Sequence, residues 1–358
     1  MRNGKIVMIL SGFPRRSETF ALNEVLALEQ RGVLAGIFAT KAGEGMAIQP
    51  ASKALQDRVK VLPSGDAASQ ADGIVQLLNG TPISGVHGYF AHSPAEVAEQ
   101  VAARLGTRFG FSVHAKDARK VPAEILSARA RKAACVVACN SDVAHEIETT
   151  GAHVHLLPHG VDLERFKPQS FPDQNRLQLL AVGRLVEKKG FHVLLAAVAR
   201  LTIPFQLQIV GEGPDESRLI ELVRKYGLEN KVRFCGPKTH DDLPQLYGKA
   251  HILMAPSITD QSGDRDGLPN VILEAMACGR PVIASNVAAI GSAVIHHETG
   301  LLAPSGNEQS LAAAITLLGK QPSLIQQLGA QAREFVQREF DIHRCTERFY
   351  SLLRTAYA

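Results

Sequence analysis

Short apolar runs alternate with amphipathic stretches along the whole chain. In the first half the apolar runs predict strands at Lys5–Leu10, Ala35–Thr40, Val59–Leu62, Gly85–Phe90, Arg108–His114, Cys135–Ala138 and Val154–Leu157. Helical spacing predicts Thr19–Arg31, Ala67–Asn79, Pro94–Leu105, Pro122–Lys132 and Asp142–Thr150 between them. After Leu163–Asn175, which holds two prolines and reads as a linker, the alternation restarts. Strands are expected at Leu177–Val182, Phe205–Val210, Val232–Cys235, Ile252–Ala255 and Pro281–Ala284, with helices at Phe191–Leu201, Glu216–Tyr226, His240–Gly248, Pro269–Ala277 and Glu308–Leu318. Leu324–Arg338 and Ile342–Tyr357 close the chain as helices. Strand–helix alternation of this kind gives a parallel sheet covered on both faces. Two doubly wound α/β domains in tandem are therefore expected, with ligands at the carboxyl ends of the strands.

Composition fits this picture. The chain has 358 residues, 45% hydrophobic and 21% charged, with a net charge of +4 and no tryptophan. That balance gives no reason to expect a nucleic-acid partner. The five cysteines lack a C-x-x-C pair and read as reduced thiols, and closely spaced metal ligands are absent. The run Ile6–Leu10 is too short for a signal peptide, so a cytoplasmic protein is expected.

Candidate chemistry lies in the loops after strands. "LLAVGRLVEKKG", residues 179–190, puts Gly183, Arg184 and Lys189 between a strand end and a helix start. Two cations beside a helix N-terminus form an anion site. In "DGLPNVILEAMACGRPVIAS", residues 266–285, Gly267, Leu268, Pro269 and Asn270 open a helix whose apolar run contains Glu274. No lysine or arginine one turn away can pair with that carboxylate, which needs a hydrogen-bonding partner. Asp266 lies in the loop before the helix. In the first half, Gly12 follows the first strand, Ser17 and Glu18 suit a helix entry, and His114 ends another strand ahead of Lys116 and Asp117. Competing signatures fail: "VGEGPDES" has Glu216 where a dinucleotide fingerprint needs its third glycine, and neither a Walker A nor a G-x-S-x-G sequence occurs.

As an ordered set, "FPRRSETFALNEVLALEQRG", "SVHAKD", "VGRLVEKKGFHVLLAAV", "IVGEGP", "VRFCGP" and "DGLPNVILEAMACGRPVIAS" resemble the family-four retaining glycosyltransferases (group 1 glycosyl transferases) of GT-B fold, of the kind that build exopolysaccharide or lipopolysaccharide. The resemblance implies two Rossmann-like domains facing a central cleft: residues 1–165 on the acceptor side, 175–338 on the donor side, and a C-terminal helix over 339–358 packing back toward the first. It implies a nucleoside-diphosphate sugar as donor, UDP- or GDP-linked, a glycan or lipid-linked hydroxyl as acceptor, and neither cofactor nor metal. Arg184 and Lys189 would hold the diphosphate, Glu274 the ribose hydroxyls and Asp266 the sugar ring, with Gly183 in the same turn. Amides near Gly267, Leu268 and Asn270, beside Pro269, would line sugar and phosphate, Gly12 and His114 would close the site, and Phe234–Gly236 would lie near the base. Asp266 departs from the family, which carries glutamate there. That carboxylate sits one methylene further back, about 1.5 Å. The cations clustered over residues 104–132 suggest contact with an anionic membrane surface or a lipid-pyrophosphate. The rival readings are a sugar-nucleotide epimerase or hydrolase on the same fold, and a non-catalytic sugar-nucleotide-binding subunit.

Overall fold

The structure is a computed structural model, which describes residues 4–15, 18–44, 50–114, 121–173 and 175–358. Ser17, Lys116, Asp117, Arg119 and Lys120 fall outside the described residues. The chain divides into two compact units, residues 1–160 with 343–358, and residues 161–342.

The first unit holds a seven-stranded, wholly parallel sheet. Its strands are β1 (Lys5–Leu10), β2 (Leu34–Ala39), β3 (Val59–Val61), β4 (Ile83–Tyr89), β5 (Arg108–Val113), β6 (Cys135–Ala138) and β7 (His155–Leu156), in the order β3-β2-β1-β4-β5-β6-β7. β1 shows why the sheet is covered on both faces. Its residues Ile6, Met8 and Leu10 enter one core while Val7 and Ile9 enter the other. A strand buried on both sides reads as a continuous apolar run. Helix starts are fixed locally: the Asp66 and Asn140 side chains accept from the amides of Ser69 and Val143 at 2.8 and 3.1 Å.

The helix Ile342–Ala356 brings Phe349 and Leu353 into the same core as β1. Tyr357 follows it. Its hydroxyl lies 2.9 Å from His87 Nδ1 and donates to the Val86 carbonyl at 3.2 Å. Two glycines make room for the ring: a Cβ on Gly85 would stand 2.2 Å from Tyr357 Cγ, and one on Gly110 would stand 2.7 Å from its hydroxyl.

The second unit holds a six-stranded parallel sheet of β8 (Leu177–Val182), β9 (Phe205–Val210), β10 (Val232–Phe234), β11 (Ile252–Ala255), β12 (Val282–Asn286) and β13 (Gly300–Pro304), ordered β10-β9-β8-β11-β12-β13. β13 and the helix Pro50–Leu55 are not among the elements expected from the sequence. The expected linker is instead packed chain. Phe166 is buried, Arg333 donates to its carbonyl at 2.9 Å, and Arg280 donates to the carbonyls of Gln169 and Ser170 at 2.9 Å each. The two prolines lie in a strap held by guanidinium groups, and they suit it because a strap has no helix to continue.

Candidate functional site

In the second sheet β8 and β11 are neighbours, and the chain leaves them in opposite directions, to β9 and to β12. A crevice forms at such a switch point, at the carboxyl ends of the strands. The loops after β8 and β11 meet there. Ile258 N donates to the Lys188 carbonyl at 2.8 Å. Gly190, with φ of +65°, lies so close that a Cβ would stand 1.8 Å from the Pro256 carbonyl oxygen. Only glycine fits that position.

This meeting point gathers charge. Lys189 Nζ lies 2.8 Å from Asp266 Oδ2, and its stem passes 3.3 Å from where a Cβ on Gly183 would be. Lys188 Nζ lies 3.4 Å from Asp266 Oδ1 and 3.1 Å from Asp264 Oδ2. Ser257 Oγ donates to Asp266 at 3.2 Å. Burial alone would raise the Asp266 pKa, but Lys189, Lys188 and Ser257 outweigh it and hold the carboxyl below its ordinary value. Arg184 and Lys189, both expected to hold a diphosphate, stand in different surroundings. Lys189 is neutralised by Asp266, whereas Arg184 is exposed and, among the described residues, makes no ion pair. Asp266, expected on a sugar ring, is here engaged by two lysines and a serine.

The helix Asn270–Ala277 starts one residue later than expected, with Pro269 as its cap. Its amides at Asn270 and Val271 have no intrahelical acceptor by geometry, and Gly267 and Leu268 lead into them. Glu274 is buried, 5% exposed. It was expected to find its partner in a bound donor, and the structure supplies two from the protein. Tyr247 donates its hydroxyl to Oε2 at 2.8 Å, and His240 Nε2 lies 3.1 Å from Oε1. Behind His240, Arg165 Nη1 lies 2.5 Å from Nδ1, and its Nη2 pairs with Asp241 at 3.2 Å. A guanidinium only donates, so His240 Nδ1 is the acceptor and its proton sits on Nε2, facing Glu274. Burial first, and then the Glu274 charge, push the Tyr247 phenol well above its ordinary pKa. Each carboxylate oxygen keeps a second lone pair. Phe234 packs against the core of this unit, and Gly236 takes a left-handed turn with φ of +63° whose carbonyl accepts from Gly211 N at 2.9 Å.

The carboxyl edge of the first sheet carries its own cluster. Gly12 stands just past β1, and a Cβ there would lie 3.4 Å from Arg15 Cδ. His114 Nε2 lies 3.0 Å from His159 Nε2, whose ring bonds Glu24 Oε1 through Nδ1 at 2.8 Å. Glu24 Oε2 accepts a short hydrogen bond from the Tyr89 hydroxyl, and Phe20 stacks on His159 with centroids 4.2 Å apart. Burial opposes charge on both histidines. It takes the His114 pKa well below the ordinary value, whereas the Glu24 carboxylate and the Cys139 and Glu24 hydrogen bonds lift His159 to about 10. Sequence reading missed Glu24, Tyr89, Cys139 and His159 here, and Lys188, His240, Tyr247 and Ser257 in the second unit. One signal was available. Glu24 sits among the buried Ala21, Leu22, Val25 and Leu28 of its helix, just as Glu274 sits in its own apolar run.

The basic segment 104–132 is less bare than its chain count suggests. Arg104 pairs with Asp72 at 2.6 Å, while Arg129 and Lys132 share Glu99 at 3.2 and 3.1 Å. Acidic partners from other helices thus offset three of the cations that look like an excess along the sequence. Among the described residues no helix is long and apolar enough to cross one.

Residues 162–335, within the second unit, match the family of glycosyl transferases group 1. The family match thus falls on the second unit, and the two parallel sheets are those of the GT-B fold. A protein of Escherichia coli K12 named as the colanic acid biosynthesis glycosyltransferase WcaL is 26% identical across 98% of this chain and 99% of its own. The amylovoran biosynthesis glycosyltransferase AmsK of Erwinia amylovora is 34% identical over 47% of this chain and 42% of its own. Among solved structures, Anabaena HepE in complex with UDP matches the fold with a TM-score of 0.84 at 19% identity, covering 98% of this chain and all of that one.

Proposed function

We propose that the protein moves a sugar from a nucleoside-diphosphate donor, UDP- or GDP-linked, to a hydroxyl of a glycan or lipid-linked acceptor, with retention at the anomeric carbon, in the building of a surface polysaccharide. The observation that carries this is that the loop after β8, which holds Arg184, Lys188 and Lys189, meets at the switch point the loop that leads into Asn270–Ala277, through both lysines on Asp266 and Ile258 N on the Lys188 carbonyl. The bond from anomeric carbon to diphosphate oxygen breaks, negative charge grows on the leaving group, and the acceptor oxygen takes the carbon while its proton passes to the leaving phosphate. Arg184, exposed and unpaired among the described residues, meets that charge, and Lys189 shares itself between the diphosphate and Asp266. Preorganised cations and amides lower the barrier by binding the leaving group better as its charge develops. They supply the positive charge that a metal would otherwise bring, so the reading includes a metal-independent transfer. Glu274, held by Tyr247 and His240, presents its remaining lone pairs to ribose hydroxyls. The names of the colanic acid and amylovoran relatives support the polysaccharide setting, and the UDP bound to HepE supports the donor class.

The test is a thermal-shift panel of UDP-, GDP- and ADP-sugars. A donor at a hundred times its Kd stabilises the native state by about 2.7 kcal/mol, so the true base separates clearly from the others. Arg184→Ala should lower turnover on the order of a hundred-fold, about 3 kcal/mol, with an unchanged melting temperature. Wild-type turnover in that variant would contradict the assignment.

A further inference from the structure

The cluster at the carboxyl edge of the first sheet has more in it than glycosyl transfer uses. Ligand atoms of His114, Cys139 and His159 all lie within 4.8 Å of one another, on three segments that end or follow β5, β6 and β7. Glu24, Ser112, His114, Cys139 and His159 line a narrow cavity of about 10 Å³. That is about one water-sized sphere, room for a single small ion or water and too little for a substrate group.

Two of the three ligands are oriented from behind. Glu24 Oε1 takes the Nδ1 side of His159 at 2.8 Å, so Nε2 faces His114. Asn140 uses its Oδ1 to cap the helix Ser141–Glu148 at Val143 N, and this leaves Nδ2 to donate to Cys139 Sγ at 3.2 Å. A carboxylate behind an imidazole is the outer support that bound metals use, and the N–H on the sulfur plays the same part. Two imidazoles and a thiolate with one open position suit zinc-class ions, and suit magnesium or calcium poorly.

We infer that His114, Cys139 and His159 bind one divalent transition ion of the zinc class, with water in the fourth position. Binding releases the thiol proton and the proton between the two rings. The ion ties together three segments separated by up to 45 positions in the chain, too far apart for a scan of ligand spacing to register. The inference does not rest on the donor assignment, and its readout needs no sugar nucleotide.

The full chain, stripped with a chelator, is titrated with cobalt(II). One ion per chain is expected, with a thiolate-to-cobalt charge-transfer band in the near ultraviolet and the visible bands of a four-coordinate site. Cys139→Ser should abolish the charge-transfer band, Cys235→Ser should keep it, and His159→Ala should weaken binding at least about tenfold. A folded wild type without that band, or a Cys139→Ser variant that retains it, overturns the inference. If the variants fail to fold, X-ray absorption of the zinc-loaded wild type decides: a shell of two nitrogens and one sulfur supports the site, and a shell without sulfur refutes it.

Discussion

At the residue scale, Asp266 sits between Lys189, Lys188 and Ser257, which occupy both of its oxygens. Its depressed pKa has a definite sign in stability. A carboxylate held below its unfolded value of about 3.9 contributes stability that is fully present above that pH and lost as pH falls through the folded pKa. Asp266→Asn should therefore flatten the acid limb of a stability-versus-pH curve, measured by urea unfolding between neutral pH and about pH 3. Glu274 makes the complementary case. Tyr247→Phe leaves one oxygen of a buried carboxylate without its donor, and should cost about 1–3 kcal/mol in urea unfolding. His240→Ala removes the other donor and also leaves Arg165 Nη1 without its acceptor, so the double variant should be non-additive.

The loop after β8 is an element built around one glycine. Gly190→Ala has to adopt a left-handed φ and clash with the Pro256 carbonyl, so a loss of about 3 kcal/mol is expected, with turnover falling because Lys188 and Lys189 ride on the same turn. Equal stability of the two proteins in a thermal melt would refute that account. Elements were largely legible in the sequence, because strands buried on both faces are unbroken apolar runs and the helices between them carry 3.6-residue periodicity. β1 and the helix Asn270–Ala277 were read almost to the residue. Long-range partners were not legible. Nothing local to Glu274 announces Tyr247 or His240, and nothing near Lys189 announces that Asp266, far along the chain, neutralises it. Periodicity reports which face of an element is buried, while pairing depends on where loops from different elements meet. Glu24 was within reach of the reasoning that singled out Glu274, since both are carboxylates inside apolar helical runs.

At the scale of the whole molecule, each unit has its own sheet and cores on both faces, but only the second is continuous in sequence. The first is finished by residues 343–358, and Tyr357 fills the slot that Gly85 and Gly110 leave in β4 and β5. Tyr357→Ala should remove about 3–5 kcal/mol through the cavity and the lost partner of His87. Tyr357→Phe keeps the ring and should cost about 1–3 kcal/mol. Two unfolding transitions, with only the first unit's displaced, would show that the damage is local; a shift confined to the second unit would refute the anchoring role. During translation this arrangement reverses the order of completion. The half that leaves the ribosome first must wait, with the tyrosine slot between its central strands open to solvent, until residues 343–358, which follow the whole second unit, have been made. The half synthesised later already has all its parts and can close before it.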